Sequence, residues 1–116
     1  MQPFPLGAVL GEFELLVLLA LMRLGNGAFG AAIHREIVTR TGRDASISAV
    51  YVTLERLERK GYVTSWFSDP QAVRGGKARR FFRLKPPGLA AVQAAKRGLD
   101  RLAEGTVVER PVGKKA

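Results

Sequence analysis

Between Glu12 and Lys60 three helical patterns follow one another, and directly after Gly61 the pattern becomes that of a strand. The second and third helical patterns are parted only by Gly42 to Ala45. So short a connection forces two helices to cross steeply and to share one core, which leaves few folds open. The first pattern, Glu12 to Leu24, carries Leu15, Leu16, Leu18, Leu19, Leu21 and Met22 nearly all round. A helix apolar on every side is expected to be buried on every side. It is therefore read as the central helix, with Leu15 and Leu19 as candidates to reach a second subunit. The second helix is expected from about Gly30 to Thr41, with Ala32, Ile33, Ile37 and Val38 near one face and Gly42 as its stop. The third begins after Ser46, a good N-cap, and runs to about Lys60. Ile47, Val50, Leu54 and Leu57 form its expected buried stripe.

Tyr62 to Phe67 has strand composition, Ser68 to Ala78 is a loop with Asp69-Pro70 and Gly75-Gly76, and Arg79 to Leu84 reads as the returning strand. This is a β-hairpin with a long basic tip, a wing. A last helix is expected from about Pro87 to Glu104, where Leu89, Val92, Ala95, Leu99 and Leu102 repeat like a short coiled-coil seam. The expected fold class is mainly α with a small β-hairpin: a winged helix-turn-helix with a C-terminal dimerisation helix. The expected division is an N-terminal arm (1–10), the winged helix-turn-helix (11–85), the dimerisation helix (86–104) and a tail (105–116).

Composition removes several function classes. With no cysteine, disulfide frameworks, zinc fingers and thiol catalysis are excluded together. The only histidine, His34, has no clustered carboxylates near it in sequence, so no metal is expected. No Ser-His-Asp arrangement or carboxylate pair stands out, so neither an enzyme nor a cofactor is expected. The longest apolar run, Leu15 to Met22, falls far short of the ~20 residues that span a bilayer. The N-terminus has no basic residue ahead of its apolar stretch, so the chain reads as cytoplasmic with no membrane partner. A formal net charge of +9 favours a polyanion.

The densest cationic segment holds Arg74, Lys77, Arg79, Arg80, Arg83 and Lys85 with no acid. Gly75 and Gly76 within it would let the backbone approach a phosphate. The bland alternative is a solvated basic loop. Gly75-Gly76-Lys77 lacks the spacing and the Ser or Thr of a nucleotide-binding loop. On the third helix Val52 falls near the centre of the solvent face, with Ala49, Arg56, Arg59 and Lys60 beside it and Ser48 and Thr53 flanking. Val52 suits a thymine methyl, or is one more scattered surface residue. Arg56 could read a guanine edge or meet a phosphate. Tyr51 sits at the stripe's edge, where its hydroxyl could reach a phosphate. The helix N-terminus at Ser46 could bind another. Glu55 and Glu58 read as local charge partners, and Trp66, beside Phe67, as a packing residue.

Several segments together resemble the PadR family of transcriptional regulators. They are Leu10-Gly11-Glu12-Phe13-Glu14, Phe29-Gly30, Ser46 to Glu58 with Lys60-Gly61, and Arg74 to Leu84, covering about residues 8 to 104. The resemblance implies a homodimer formed through the terminal helices, chiefly the last. It implies repression at palindromic double-stranded DNA, with a third helix from each subunit in the major groove. By that likeness Tyr51 and Thr53 become DNA contacts and the Arg74–Lys77 tip reaches the backbone or minor groove. Many relatives answer to small aromatic molecules, so an effector of that class is an expected partner. The sequence departs from the family pattern at Val52 (often Pro), at Phe81 and Phe82 (usually tyrosines) and at Lys85 (commonly Thr). The competing expectation is a winged helix used to dock an acidic protein. A protein that coats single strands is disfavoured, because surface aromatics interleaved with cations are not apparent.

Overall fold

The computed structural model describes residues 10–25, 27–69 and 78–106. The expected arm, wing tip and most of the expected tail lie outside those residues. Among the described residues, four helices, α1 (Glu12–Leu24), α2 (Gly30–Thr41), α3 (Ile47–Arg59) and α4 (Pro86–Ala103), accompany three strands, β1 (Ala28–Phe29), β2 (Val63–Phe67) and β3 (Arg80–Leu84). The class is mainly helical, as expected, but the hairpin is part of a three-stranded sheet ordered β1-β3-β2. Both pairings are antiparallel, with Phe29 opposite Phe81, Ala28 opposite Phe82, and Ser65 opposite Phe82 on the other side. β1 is only two residues long and has no period of its own; its partner strand defines it.

Each helix start has a local cause. At α1 the Glu14 carboxylate accepts the Gly11 N–H at 2.8 Å, satisfying one orphan donor of the first turn. At α3 the Ser46 hydroxyl accepts the Ala49 N–H at 3.1 Å, as its N-cap role predicted. α2 ends at Gly42, whose φ of 70° is left-handed and frees the chain to turn at once into α3. The His34 ring lies across that turn, with Nε2 2.7 Å from the Ala45 carbonyl oxygen. Lys85 caps α4 without a side-chain hydrogen bond, and proline at the first positions presets the backbone instead.

The core joins Val17, Leu18 and Leu21 of α1, Ile33 and Ile37 of α2, Val50, Leu54 and Leu57 of α3, Val63 of β2 and Phe82 of β3. Each such side chain stabilises the fold by about 1.5–3 kcal/mol when fully buried. Three expectations of burial need correction. Leu19 and Met22 are more than a third exposed, so α1 is not buried on every side within a single chain. Ile47 is 43 % exposed, because the first residue of α3 projects past the core. Val92, expected in a dimer seam, is instead buried in this chain's own core.

Candidate nucleic-acid interface

α3 buries Val50, Thr53, Leu54 and Leu57, and that choice fixes what it shows to solvent. Ser46, Ser48, Val52, Glu55, Arg56 and Arg59 are exposed. Val52, at 53 % exposure, stands in the middle of that face as expected. Arg56 is exposed and in no ion pair among the described residues. Thr53 does not belong to this surface. It is buried, because a step of three from Val50 returns to the core side of the helix. A DNA contact from its hydroxyl is therefore ruled out in this conformation.

Lys60 is the second correction. Its ammonium donates to the Glu14 carboxylate at 2.8 and 2.9 Å and is turned toward α1, away from the exposed face. Burial pushes the Glu14 carboxyl up. Hydrogen bonds from Lys60 and the Gly11 N–H, with the charges of Lys60 and Arg56, outweigh that and hold it below its ordinary value of 4.5. The pair ties the end of α3 to the start of α1, two segments separated by 46 residues.

Tyr51 is half-buried, with its ring tilted against Phe82 at 6.4 Å. The far end of its ring rests against Gly30 at the head of α2. A Cβ on Gly30 would stand 2.3 Å from Tyr51 Cζ, so only glycine lets the ring rest there. Gly30 is thus part of the site, and the Phe29-Gly30 pair in the sequence was its only outward sign.

The wing is bolted to α3 through Arg80. Its Nη2 donates to Glu58 at 2.7 Å, its Nη1 to Glu55 at 3.4 Å, and its Nε to the Ser65 hydroxyl at 3.2 Å. Ser65 in turn donates to Glu58 at 2.9 Å. Glu55 and Glu58 are therefore partners of the wing as well as charges on the helix. Period-two alternation around the inward Phe82 could have signalled that Arg80 points toward α3 while Arg79 and Arg83 point away. Arg79 is exposed at the base of the wing, with its guanidinium 4.6 Å from the Phe29 ring centroid. Arg74, Gly75, Gly76 and Lys77 lie outside the described residues.

α4 packs Val92 inward and leaves Leu99 60 % and Leu102 81 % exposed. With Leu10, Leu15 and Ala95 they line an apolar groove between α1 and α4. Leu89 and Leu19 are each 38 % exposed. Among the described residues no cluster of side chains could hold a metal ion, and no helix is long and apolar enough to cross a membrane.

Comparison with known proteins agrees with this architecture. Residues 18–94 match the transcriptional regulator PadR-like family. The transcriptional regulator Rv3488 of Mycobacterium tuberculosis is 38 % identical over 78 residues, which cover 67 % of this chain and 68 % of that protein. A PadR family transcription regulator from Clostridium difficile superposes with a TM-score of 0.65 at 21 % identity, over 80 % of this chain and 95 % of that one. The hsRosR-S4 complex structure gives a TM-score of 0.68 at 22 % identity, over 87 % of this chain and 81 % of that one. At those identities the two structures speak to the fold, while the sequence match over most of the chain speaks to descent. The chain belongs to the PadR-like family of transcriptional regulators.

Proposed function

We propose that this regulator is a repressor that binds a palindromic DNA operator as a homodimer. The observation that carries the reading is the exposed face of α3. Ser48, Val52 and Arg56 form a row free to meet base edges, while Val50, Leu54 and Leu57 anchor the helix from behind. Ser46 and the first N–H groups of α3 suit a phosphate, and the Tyr51 hydroxyl another. Arg79 and the Arg74–Lys77 tip with its glycines are assigned to the backbone or minor groove. Leu15, Leu19, Leu89, Ala95, Leu99 and Leu102 are assigned to the subunit interface, since an exposed apolar row on a terminal helix favours a self-complementary partner. A small aromatic effector would suit the apolar cleft of Leu16, Leu19, Ala20 and Ile37, rimmed by Arg23 and Arg40, both paired with Glu36.

The test is a mobility-shift titration against a duplex selected from a random pool, repeated across salt concentrations. With ~6–8 cations on phosphates, log affinity falls by roughly 0.9 per contact per decade of salt. Arg74→Ala with Lys77→Ala weakens binding to every sequence, whereas Val52→Ala changes base preference. A double variant that binds as tightly as the parent refutes the wing assignment. If random duplex fails to compete with an acidic protein partner, the protein-docking reading replaces this one.

A further inference from the structure

α3 carries an acid on the very face that was assigned to DNA. Glu55 is exposed, and it follows Val52 by three residues and Ser48 by seven. At about 100° per residue the three side chains leave the helix within roughly 60° of one another. Glu55 therefore stands in the row proposed to meet base edges, on its border with the wing. Its hydrogen-bond partner among the described residues is Arg80, whose Nη1 lies 3.4 Å from Oε2. Arg80 is held without it. Nη2 donates to Glu58 at 2.7 Å, and Glu58 also accepts the Ser65 hydroxyl at 2.9 Å. Glu58 is thus committed to the wing, whereas Glu55 is only steadied by it. The 3.4 Å contact sits at the outer limit of a hydrogen bond and occupies one of about four acceptor positions on an ionised carboxylate. Arg59, which lines the same groove between α3 and the wing, is exposed and makes no ion pair among the described residues.

We infer that Glu55 is a specificity-determining residue whose carboxylate accepts the N4 amino group of a cytosine in the major groove, at one position of each half-site. The inference rests on the proposed placement of α3 in that groove and says what one further side chain does there. When DNA covers this face, the free lone pairs of Glu55 lose their water, and a donor must replace it or the acid weakens binding. Phosphates are acceptors and repel a carboxylate, so the donor has to come from a base. The base edges of the major groove offer two amino donors, cytosine N4 and adenine N6. Adenine sets the N7 acceptor beside its amino group, which repels a carboxylate; cytosine carries no acceptor on its own edge. Arg80 is a positioning residue in this account. It fixes Oε2 toward the wing and leaves Oε1 open to the groove.

The experiment measures the affinity of the full-length protein for the selected duplex and for a set in which each base pair of both half-sites is replaced in turn by the other three. The parent is expected to lose about tenfold when one particular C·G is changed. Glu55→Gln is expected to move the preference at that position from C·G to A·T, because a carboxamide can accept from N6 and donate to N7 together. Glu55→Ala is expected to become indifferent there and to keep the parent's profile everywhere else. Both substitutions fall on an exposed side chain with one long contact, and circular dichroism checks that the fold is kept. Arg80→Lys, which keeps the charge and loses the fork, is expected to narrow the discrimination at the same position alone. A base profile identical to the parent's in both Glu55 variants overturns the inference, and so does an equal loss at every position, which a prop of the fold would give. A change confined to a position where the parent does not prefer C·G overturns the assignment to cytosine. Full discrimination in Arg80→Lys overturns the role given to Arg80. A parent that binds selected and random duplex alike sinks the operator reading, and this inference with it; a discriminating parent with unaltered variants sinks this inference alone.

Discussion

Replacing Gly30 by alanine is the smallest change expected to disturb α3. The added Cβ would lie 2.3 Å from Tyr51 Cζ, 2.6 Å from its hydroxyl oxygen and 2.7 Å from Cε1. Carbon atoms in contact sit ~3.5–4.0 Å apart, so the ring must move by roughly 1 Å or more, or rotate away. Either response loosens its packing on Phe82. Overpacking of this kind costs about 1–3 kcal/mol. Alanine in place of glycine returns at most ~1 kcal/mol of helix propensity, and less in a first turn. The expected net loss is about 1–2 kcal/mol, seen as a Tm lower by roughly 4 °C per kcal/mol for a domain of this size. Duplex affinity falls as well, because the displaced ring carries away the hydroxyl assigned to a phosphate. Urea denaturation followed by circular dichroism gives the stability term. The decisive comparison is a double-mutant cycle with Tyr51→Ala. Once the ring is gone, Gly30→Ala should be neutral or slightly stabilising. An equal penalty in both backgrounds would refute the close-packing argument.

Three further outcomes follow from particular contacts. The Glu14 carboxyl is held below its ordinary value of 4.5, so its contribution is present above that pH and is lost as pH falls below it. Glu14→Gln should cost ~1.5–3 kcal/mol at neutral pH and flatten the acid limb of a stability–pH profile; an unchanged limb contradicts the role given to Lys60. A Cβ on Gly88 would stand 2.3 Å from the Tyr62 carbonyl oxygen, a backbone atom that cannot swing aside. Gly88→Ala should therefore displace α4 and lower stability by ~2 kcal/mol, checked by thermal unfolding, and a variant as stable as the parent would contradict it. Leu99→Asp with Leu102→Asp alters two exposed residues, so circular dichroism should be unchanged while sedimentation shows a monomer; a dimer that survives would move the interface elsewhere.

The helices were legible because their signals are local. Ser46 as a cap, Gly42 as a stop and the spacing of Val50, Leu54 and Leu57 need only neighbours in sequence. What depended on distant partners was not legible. β1 exists only because Ala28 and Phe29 find Phe82 and Phe81. Lys60 sits at the end of α3, and the distant, buried Glu14 draws its ammonium toward α1. Val92 shares a heptad-like spacing with Leu99 and Leu102, but α4 rests on the core near its start and leaves it further along. One spacing therefore yields a core residue first and exposed residues later. A row of aromatic rings on the sheet is the extreme case, since Phe29, Trp66 and Phe81 become neighbours only through strand order. Thr53 is different: the helical projection was sufficient to bury it, and its small polar side chain drew it to the wrong face.

The central claim is that α3 from each of two subunits enters the major groove of a twofold operator. Methylation interference at guanine N7 on a selected duplex examines it most directly, because that atom lies on the major-groove edge. The account predicts two symmetric patches of interference, their centres separated by one turn of about 10 base pairs or a multiple of it. A single asymmetric patch, or binding indifferent to N7 methylation, would contradict it.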